Sequence, residues 1–323
     1  MHAGGSGLPF EMVFAIAGFI LGLVLLIYSS NKAIQHTINI ALEWGISPFV
    51  SGLILVSIGT DLPEIINAII SSSMGHADIS VGDSLGSVLT QMTLVIGLLP
   101  FLGKKFKVDR KKIAIIGVCE VLALILAVSI AEKGYITRIN ALFLLASWPL
   151  FLILFRNAIT KKFKEDKVPA EIIVKRHFRP ILVAALGFIG VSIGAYVVVQ
   201  SIIQLSATFQ VSEFFISFFV LALGTSLPEL VVNLAAIRKG QFELAIGDAL
   251  GSCIVDATVS IGIGQLFFPQ IVSGETAMIA GLYAIFGSIV VISTLALRKK
   301  LDKKAGALFI LIYFLSYGLL SLL

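Results

Sequence analysis

The sequence predicts an all-α integral membrane protein with ten transmembrane helices arranged as two inverted five-helix repeats. Three observations support this fold class. The 323-residue chain is 58% hydrophobic and 13% charged, which is about half the charged share of a soluble domain. Apolar runs of about twenty residues, long enough to cross a bilayer, recur along the chain. Two motifs of the first half also return in the second half, which indicates an internal duplication.

The duplicated motifs lie 165 residues apart. Gly-Thr-Asp-Leu-Pro-Glu at 59–64 returns as Gly-Thr-Ser-Leu-Pro-Glu at 224–229, and Gly-Asp-Ser-Leu-Gly-Ser at 82–87 returns as Gly-Asp-Ala-Leu-Gly-Ser at 247–252. Residues 59–97 and 224–262, aligned without a gap, are identical at 14 of 39 positions. Acidic residues are costly in lipid, so their repetition predicts a binding site rather than a packing role.

Hydropathy predicts the ten spans, five in each half. Residues 1–156 form the first five-helix half with the first repeat, 157–179 a basic cytoplasmic linker, and 180–323 the second half with the inverted repeat. The predicted spans lie at about 10–29, 48–73, 79–102, 113–131, 138–156, 180–204, 213–237, 243–267, 273–297 and 305–322.

Basic residues predict the orientation of these spans. The odd-numbered loops hold 22 Lys and Arg residues, whereas the even-numbered loops hold 2. The positive-inside rule therefore places the odd loops in the cytoplasm and both termini outside the cell (plasma) membrane. The net charge of +5 is explained by topology, so nucleic acid is not predicted as a partner.

An odd number of spans per half turns the second copy upside down relative to the first. The turn at 74–78 has no Lys or Arg, whereas its counterpart begins with Arg238 and Lys239. The same turn is therefore predicted to face opposite sides of the membrane. Inverted repeats of this kind are common in secondary transporters, which bind their cargo near the midplane at the repeat interface.

Polar side chains of the two motifs are predicted to share helix faces at mid-membrane depth. Residues four apart lie on one face of a helix, and Asp61 and Glu64, three apart, do so as well. The pairs with a spacing of four are Thr60 and Glu64, Thr225 and Glu229, Ser87 and Gln91, and Ser252 and Asp256. Four carboxylates at this depth would cost on the order of 10 kcal/mol without compensation, which bound cations and protons can supply.

Two prolines add backbone oxygens to this site. Pro63 cannot donate a hydrogen bond to the carbonyl of Gly59, nor Pro228 to that of Gly224. Both helices should therefore be kinked or unwound there, which is tolerated at this depth only where the backbone lines a cavity or binds something. Carboxylates, carbonyls and hydroxyls without thiols or imidazoles describe a hard-cation site, and Ca²⁺ takes about 6–8 such oxygens.

Other residues receive more ordinary interpretations. The Gly-x-x-x-Gly spacings that begin at Gly82 and Gly247 should bring Ser87 and Ser252 close to spans two and seven. Asp83 and Asp248 lie near the starts of spans three and eight, where they are predicted to cap helix N-termini. A cation-attracting vestibule is the alternative for these two acids. Cys253 is predicted to be a core residue, and no prosthetic group is expected.

The duplicated motifs resemble the α-repeats of the Ca²⁺/cation antiporter superfamily, and most closely those of prokaryotic sodium/calcium exchangers. The resemblance covers the whole chain in topology and implies ten helices in two inverted five-helix halves. Spans two, three, seven and eight would form the ion-binding core, and the long spans one and six would slide past it to switch access.

The resemblance also implies roles for individual residues. Glu64 and Glu229 would be the central Ca²⁺ ligands. Backbone oxygens would come from Thr60 and Thr225, and the neighbouring Na⁺ positions would be completed by Ser87, Ser226, Ser252 and Asp256. Two residues depart from the pattern, since Asp61 replaces the usual Ser and Gln91 the usual Asn. The extra carboxylate of Asp61 leaves the coupling ion and the stoichiometry open.

The expected function is secondary active antiport of Ca²⁺ against Na⁺ by alternating access. The alternatives are Ca²⁺/H⁺ antiport, favoured if crowded carboxylates hold protons, and K⁺-dependent Na⁺/Ca²⁺ exchange, because Asp at position 256 also occurs in that branch. An enzyme is not expected, since the Gly-x-Gly-Asp context of intramembrane aspartyl proteases is absent. A channel is a further alternative, but inverted halves with broken helices are more typical of alternating-access transporters. The expected partners are Ca²⁺, monovalent cations and the lipid bilayer, without an obligate protein partner.

Overall fold

The described part of the chain is helical, apart from short turns and four two-residue strands. A computed structural model describes residues 8–43, 57–103, 105–159, 178–238, 240 and 242–320. Within these ranges, eight helical segments are long and apolar enough to cross a membrane, and Arg138–Leu154 is a shorter apolar helix. The prediction of a multi-pass helical membrane protein is therefore confirmed. The first part of predicted span two and most of the linker 157–179 lie outside the described residues.

The first half contains seven α-helices, one π-helix and two strands among its described residues. They are α1 (Leu8–Glu43), α2 (Ser57–Thr60), α3 (Leu62–Ser73), α4 (Ala77–Leu89), a π-helix (Thr90–Val95), α5 (Ile96–Leu102), β1 (Phe106–Lys107), α6 (Arg110–Ala131), β2 (Tyr135–Ile136) and α7 (Arg138–Ile159).

The second half follows in a similar order. Its elements are α8 (Phe178–Phe209), α9 (Glu213–Ile216), a π-helix (Ser217–Leu221), α10 (Ala222–Thr225), α11 (Leu227–Arg238), α12 (Phe242–Val255), a π-helix (Asp256–Ser260), α13 (Ile261–Phe267), β3 (Gln270–Ile271), α14 (Gly274–Arg298), β4 (Lys300–Leu301) and α15 (Lys303–Leu320).

The two longest helices, α1 and α8, pack against each other. At 36 and 32 residues, they would extend about 54 and 48 Å, well beyond the roughly 30 Å hydrocarbon core of a bilayer. Their apolar parts are Met12–Lys32 and Ala185–Phe209, so an untilted helix would continue past that core. Small residues allow their close approach, because a Cβ added at Gly194 would lie 2.7 Å from the backbone nitrogen of Leu26. The predicted long spans one and six are therefore present as one packed pair.

Four short strands tie the ends of distant helices together. β1 pairs with β4 in antiparallel register, Phe106 opposite Leu301, and β2 pairs with β3, Tyr135 opposite Ile271. Each ladder joins one loop of the first half to one loop of the second half. The two loops of each ladder must consequently lie at the same end of the helix bundle.

The glycine at position 82 permits close packing between α4 and the start of span seven. A Cβ added there would meet the carbonyl oxygen of Phe214 at 2.6 Å, which is closer than real Cβ contacts allow. The close approach of the two backbones at this point therefore requires a residue without a side chain.

We expect Gly82→Ala to destabilise the protein by about 1–3 kcal/mol, because overpacking forces backbone or side-chain shifts. Gly318→Ala is the control and should change stability by less than about 1 kcal/mol, because Gly318 is exposed on α15 and an added Cβ would meet no described atom within 4 Å. Alanine there also replaces a flexible glycine in a helix. Thermal unfolding of the purified variants in detergent checks this. Equal losses in both variants would contradict the close packing at Gly82.

Candidate cation site

The two motif helices are each interrupted at one residue in the membrane interior. Asp61 separates α2 from α3 with φ −81° and ψ 6°, and Ser226 separates α10 from α11 with φ −79° and ψ 1°. These angles fall in the sparsely populated bridge region, where many active-site residues lie. Pro63 and Pro228 stand two residues after the breaks, as the sequence predicts, and both breaks are buried.

Three carboxylates converge beside the first break. Asp61, Glu64 and Asp256 each offer an oxygen, and the three oxygens lie within 4.8 Å of one another. Both oxygens of Asp61 and Oε2 of Glu64 have no hydrogen-bond partner in the described part of the chain. We refer to these three residues as the carboxylate cluster. Such closely placed, buried and unsatisfied carboxylates need bound cations or protons to balance them.

Glu229 completes the set of four predicted acids but does not belong to the three-residue cluster. It is fully buried, and it lies within electrostatic range of Asp61 and Glu64. Neither of its carboxylate oxygens has a hydrogen-bond partner among the described residues. None of the ion pairs found in the described ranges involves any of the four acids.

The predicted hydroxyl groups surround the two breaks. Ser87 Oγ donates to Glu64 Oε1 at 3.4 Å and lies 3.3 Å from Thr225 Oγ1. Thr60 Oγ1 lies 3.3 Å from Ser252 Oγ. Ser87 therefore contacts spans two and seven, and Ser252 contacts span two, which agrees with the predicted approach of these serines to spans two and seven. Ser226 is buried, and its hydroxyl has no partner within the described ranges.

The amide of Gln91 faces Asp256. Its Nε2 donates to Asp256 Oδ2 at 3.0 Å, and its Oε1 accepts from Cys253 Sγ at 3.4 Å. A carboxylate oxygen can only accept, so the amide nitrogen must be the atom directed at it. In this arrangement Gln91 stabilises Asp256 with a donor instead of offering its own oxygen. Cys253 is buried, as predicted, and also orients this amide.

The π-helical turns lie next to these side chains. Gln91 is in the π-helix Thr90–Val95, and Asp256 begins the π-helix Asp256–Ser260. Short π-helical turns are rare and occur frequently at functional sites. Inserting one residue into a helix rotates the side chains that follow it, and sequence periodicity did not reveal this irregularity.

The prediction that Asp83 and Asp248 cap helix N-termini is wrong. α4 begins at Ala77 and α12 at Phe242, so each aspartate lies more than a full turn inside its helix. Both are buried, and both are close to the residues of the site. The predicted spans begin at 79 and 243, within two residues of the observed helix starts, so the error was to treat positions four and five residues inside a span as terminal.

Sequence analysis missed one further buried acid, Glu120, in the middle of α6. Its Oε1 accepts from Ser288 Oγ at 2.7 Å, and its Oε2 has no partner among the described residues. The signal was available, because a lone acid in an apolar span is unusual. The candidate acids were chosen because they recur 165 residues later, and the counterpart of Glu120, at position 285, is an isoleucine.

Known proteins resemble this chain over nearly its whole length. The sequence profile of the sodium/calcium exchanger protein family matches residues 14–156 and 179–322. An uncharacterized membrane protein of Methanocaldococcus jannaschii is 29% identical over 96% of this chain and 99% of its own. Sodium/calcium exchanger MaX1 of Methanosarcina acetivorans is 26% identical over 77% of this chain and 82% of its own.

Solved structures of the sodium-calcium exchanger NCX_Mj have a similar fold. One of them, soaked with Na⁺ and Sr²⁺, is 27% identical and has a TM-score of 0.64, covering 95% of this chain and 98% of that chain. The resemblance in structure thus extends over the same range as the resemblance in sequence.

Proposed function

Because this chain belongs to the sodium/calcium exchanger protein family, we propose that it exchanges Ca²⁺ for Na⁺ by alternating access, with the ions bound among the carboxylates at the midplane. The chain is a membrane transporter and not an enzyme. The observation that carries the proposal is the gathering of four buried acids beside the broken helices. Oxygens of Asp61, Glu64 and Asp256 lie within 4.8 Å of one another, and Glu229 lies within electrostatic range of Asp61 and Glu64. Hard oxygen ligands suit Ca²⁺, and the nearby thiol of Cys253 donates to the Gln91 amide oxygen.

In the proposed site, Glu64 and Glu229 bind Ca²⁺ from opposite halves. They are the paired acids of the two motifs, and both retain carboxylate oxygens without hydrogen-bond partners among the described residues. Backbone oxygens at Thr60 and Thr225 add ligands beside the breaks. The Na⁺ positions are proposed to use Asp256 and the hydroxyls of Ser87, Ser226 and Ser252, whereas Gln91 orients Asp256 through its amide nitrogen.

The coupling ion depends on Asp61. It brings a further negative charge into the cluster, next to Glu64 and Asp256. A proton could satisfy this charge, which favours the alternative of Ca²⁺/H⁺ antiport, and K⁺ could satisfy it in a K⁺-dependent exchanger. Na⁺ remains the leading proposal because the family and the solved structures are those of sodium/calcium exchangers.

Ca²⁺ uptake into proteoliposomes under imposed Na⁺, K⁺ or pH gradients tests this function. We expect an outward Na⁺ gradient to drive Ca²⁺ uptake without K⁺ and without a pH difference. Uptake driven by a pH gradient alone would identify H⁺, and not Na⁺, as the coupling ion. A strict requirement for K⁺ would indicate a K⁺-dependent exchanger. Absence of Ca²⁺ transport under every gradient would refute the proposal.

The inverted ten-span topology is proposed on the basis of loop charge and is supported by the strands. β1 and β4 lie in two basic odd-numbered loops, and β2 and β3 lie in two even-numbered loops. Each ladder therefore joins loops that the positive-inside rule assigns to the same side. Both termini are proposed to be extracellular and the linker 157–179 cytoplasmic.

Cysteine labelling checks this topology. We expect an impermeant thiol reagent outside cells to label Lys133→Cys, which lies beside β2, and not Lys105→Cys or Lys300→Cys. Permeabilised cells provide the control, because all three positions should then react. Labelling of Lys133 and Lys300 from the same side would overturn the ten-span topology.

A further inference from the structure

Two buried aspartates at corresponding places in the repeats differ in their hydrogen bonds. Asp83 accepts at both oxygens, from Asn67 Nδ2 at 2.7 Å and from Thr225 Oγ1 at 3.0 Å. Neither oxygen of its counterpart Asp248 has a partner among the described residues. Asn233 is the amide that faces Asp248, and both of its polar atoms are likewise unpartnered there. The second half thus has a similar pair of groups without the hydrogen bonds.

The two asparagines reach their aspartates from the same helix face. Asn67 follows Glu64 by three residues, and Asn233 follows Glu229 by four. Both spacings place the amide on the side of the helix that carries the glutamate. A gapless alignment offsets the two asparagines by one position, so their common role is visible only in three dimensions.

The hydrogen bonds of Asp83 connect the two halves of the molecule. Asn67 lies on α3 and Asp83 on α4, both in the first half, whereas Thr225 ends α10 in the second half. Thr225 immediately precedes the break at Ser226, so Asp83 fixes a residue of the proposed ion site. Hydrogen bonds to a carboxylate are among the stronger ones in proteins, and they are stronger still in a buried environment.

The first motif helix, α3, is also more closely covered by its neighbours than the second, α11. Leu62 on α3 is 8% exposed and packs with Leu26 of α1 and Val191 of α8, whereas its counterpart Leu227 on α11 is 43% exposed. The first turn of α4 is also fastened to Ser273, which directly precedes α14. There Asp78 accepts from the backbone N–H of Ser273 at 2.6 Å and from its hydroxyl. The bonded aspartate is therefore at the more tightly covered motif helix.

We propose that Asp83 and Asp248 are positioning residues that hold Thr225 and Thr60 in alternation during the transport cycle. In the structure, Asp83 and Asn67 hold Thr225 and keep the α3–α4 side closed. In the opposite conformation, Asp83 releases Thr225, and Asp248 with Asn233 takes up Thr60, which here lies against Ser252. This inference rests on the proposed alternating access, because exchange of conformation between inverted repeats is what interchanges the two sets of contacts.

The asparagines allow a test that leaves the proposed ion ligands intact. Asn67→Ala removes a donor from buried Asp83 and should destabilise the conformation seen here. Asn233→Ala should destabilise the opposite conformation more strongly, because Asn233 faces Asp248 here without a hydrogen bond to it. Buried Ser71 and its counterpart Ala236, each replaced by Cys, report access to the two sides in purified protein. The chain without these replacements is the blank, since Cys119 and Cys253 are both buried.

We expect Asn67→Ala to increase the labelling rate of Cys at position 71 about tenfold, because an unpaired buried carboxylate shifts the population by roughly that factor. The rate at position 236 should fall in the same variant. Asn233→Ala should shift both rates in the opposite directions. If Asn67→Ala does not fold, Asp83→Asn and Asp248→Asn form a second matched pair with the same expected signs.

Equal changes at both reporters, or lower thermal stability without any side-specific change in labelling, would overturn the alternating role and leave a purely structural one. The labelling rates do not depend on which ion is transported. A failure of Na⁺/Ca²⁺ exchange in proteoliposomes would therefore refute the proposed function without producing either of these results.

Discussion

Replacing Glu64 with Gln is expected to reduce Ca²⁺ transport by about 100-fold or more. The carboxylate lies in the cluster with Asp61 and Asp256, and its Oε2 has no hydrogen-bond partner among the described residues. Glutamine keeps the shape but removes the charge that a divalent cation requires. Loss of a group that merely orients a ligand already costs about 10–100-fold in metal affinity, so loss of a ligand should cost more.

Glu229→Gln should have the same effect, because Glu229 is the paired acid of the second motif. Glu120→Gln is the matched control, since Glu120 is equally buried in the membrane interior but bonds Ser288 on a different pair of helices. Initial rates of Ca²⁺ uptake in proteoliposomes, with folding checked by gel filtration, provide the measurement. Near-normal uptake by either site variant would remove that residue from the proposed site.

The second large effect concerns ion stoichiometry. We expect Asp61→Ser to retain Ca²⁺ transport and to lower by one the number of monovalent cations or protons moved per Ca²⁺. If the Asp61 carboxylate is ionised, its charge must be balanced in the buried cluster, and Ser is the residue found at the equivalent position 226. Asp61→Asn should behave in the same way, which separates the effect of charge from that of side-chain size.

The reversal potential of exchange, measured at several Na⁺ and pH gradients, reports this stoichiometry. Wild type and Asp61→Ser should reverse at different potentials, and the gradient that shifts the difference identifies the ion. Identical reversal potentials and superimposable pH, Na⁺ and K⁺ dependence would mean that the Asp61 charge is not balanced by a transported ion.

Much of this site could be predicted from the sequence because the chemistry is repeated. Gly-Thr-x-Leu-Pro-Glu places a helix-breaking proline next to a membrane acid in both halves, and the structure shows a break at Asp61 and at Ser226. Helical spacing correctly grouped Asp61 with Glu64. The opposite half supplies Asp256, and that contact depends on how the helices pack, which periodicity does not contain.

The remaining features depend on tertiary structure. Asp83 looked like a helix cap because it lies near the start of an apolar span, where aspartate is a preferred capping residue. Its true role depends on Thr225, which is distant in sequence and belongs to the other half. The orientation of the Gln91 amide likewise depends on Cys253 and Asp256. Buried polar groups often form hydrogen bonds with residues distant in sequence, so these bonds can be identified only once the packing of the helices is known.

The most direct test of the central claim is a crystal structure of the protein soaked with Sr²⁺ in place of Ca²⁺, with the ion located by its anomalous scattering. We predict one strong peak between Glu64 and Glu229, with carboxylate oxygens at roughly the 2.3–2.6 Å typical of Ca²⁺ or slightly longer. The peak should disappear in Glu64→Gln crystals. A peak elsewhere, or none at saturating Sr²⁺ in a well-ordered site, would contradict the account.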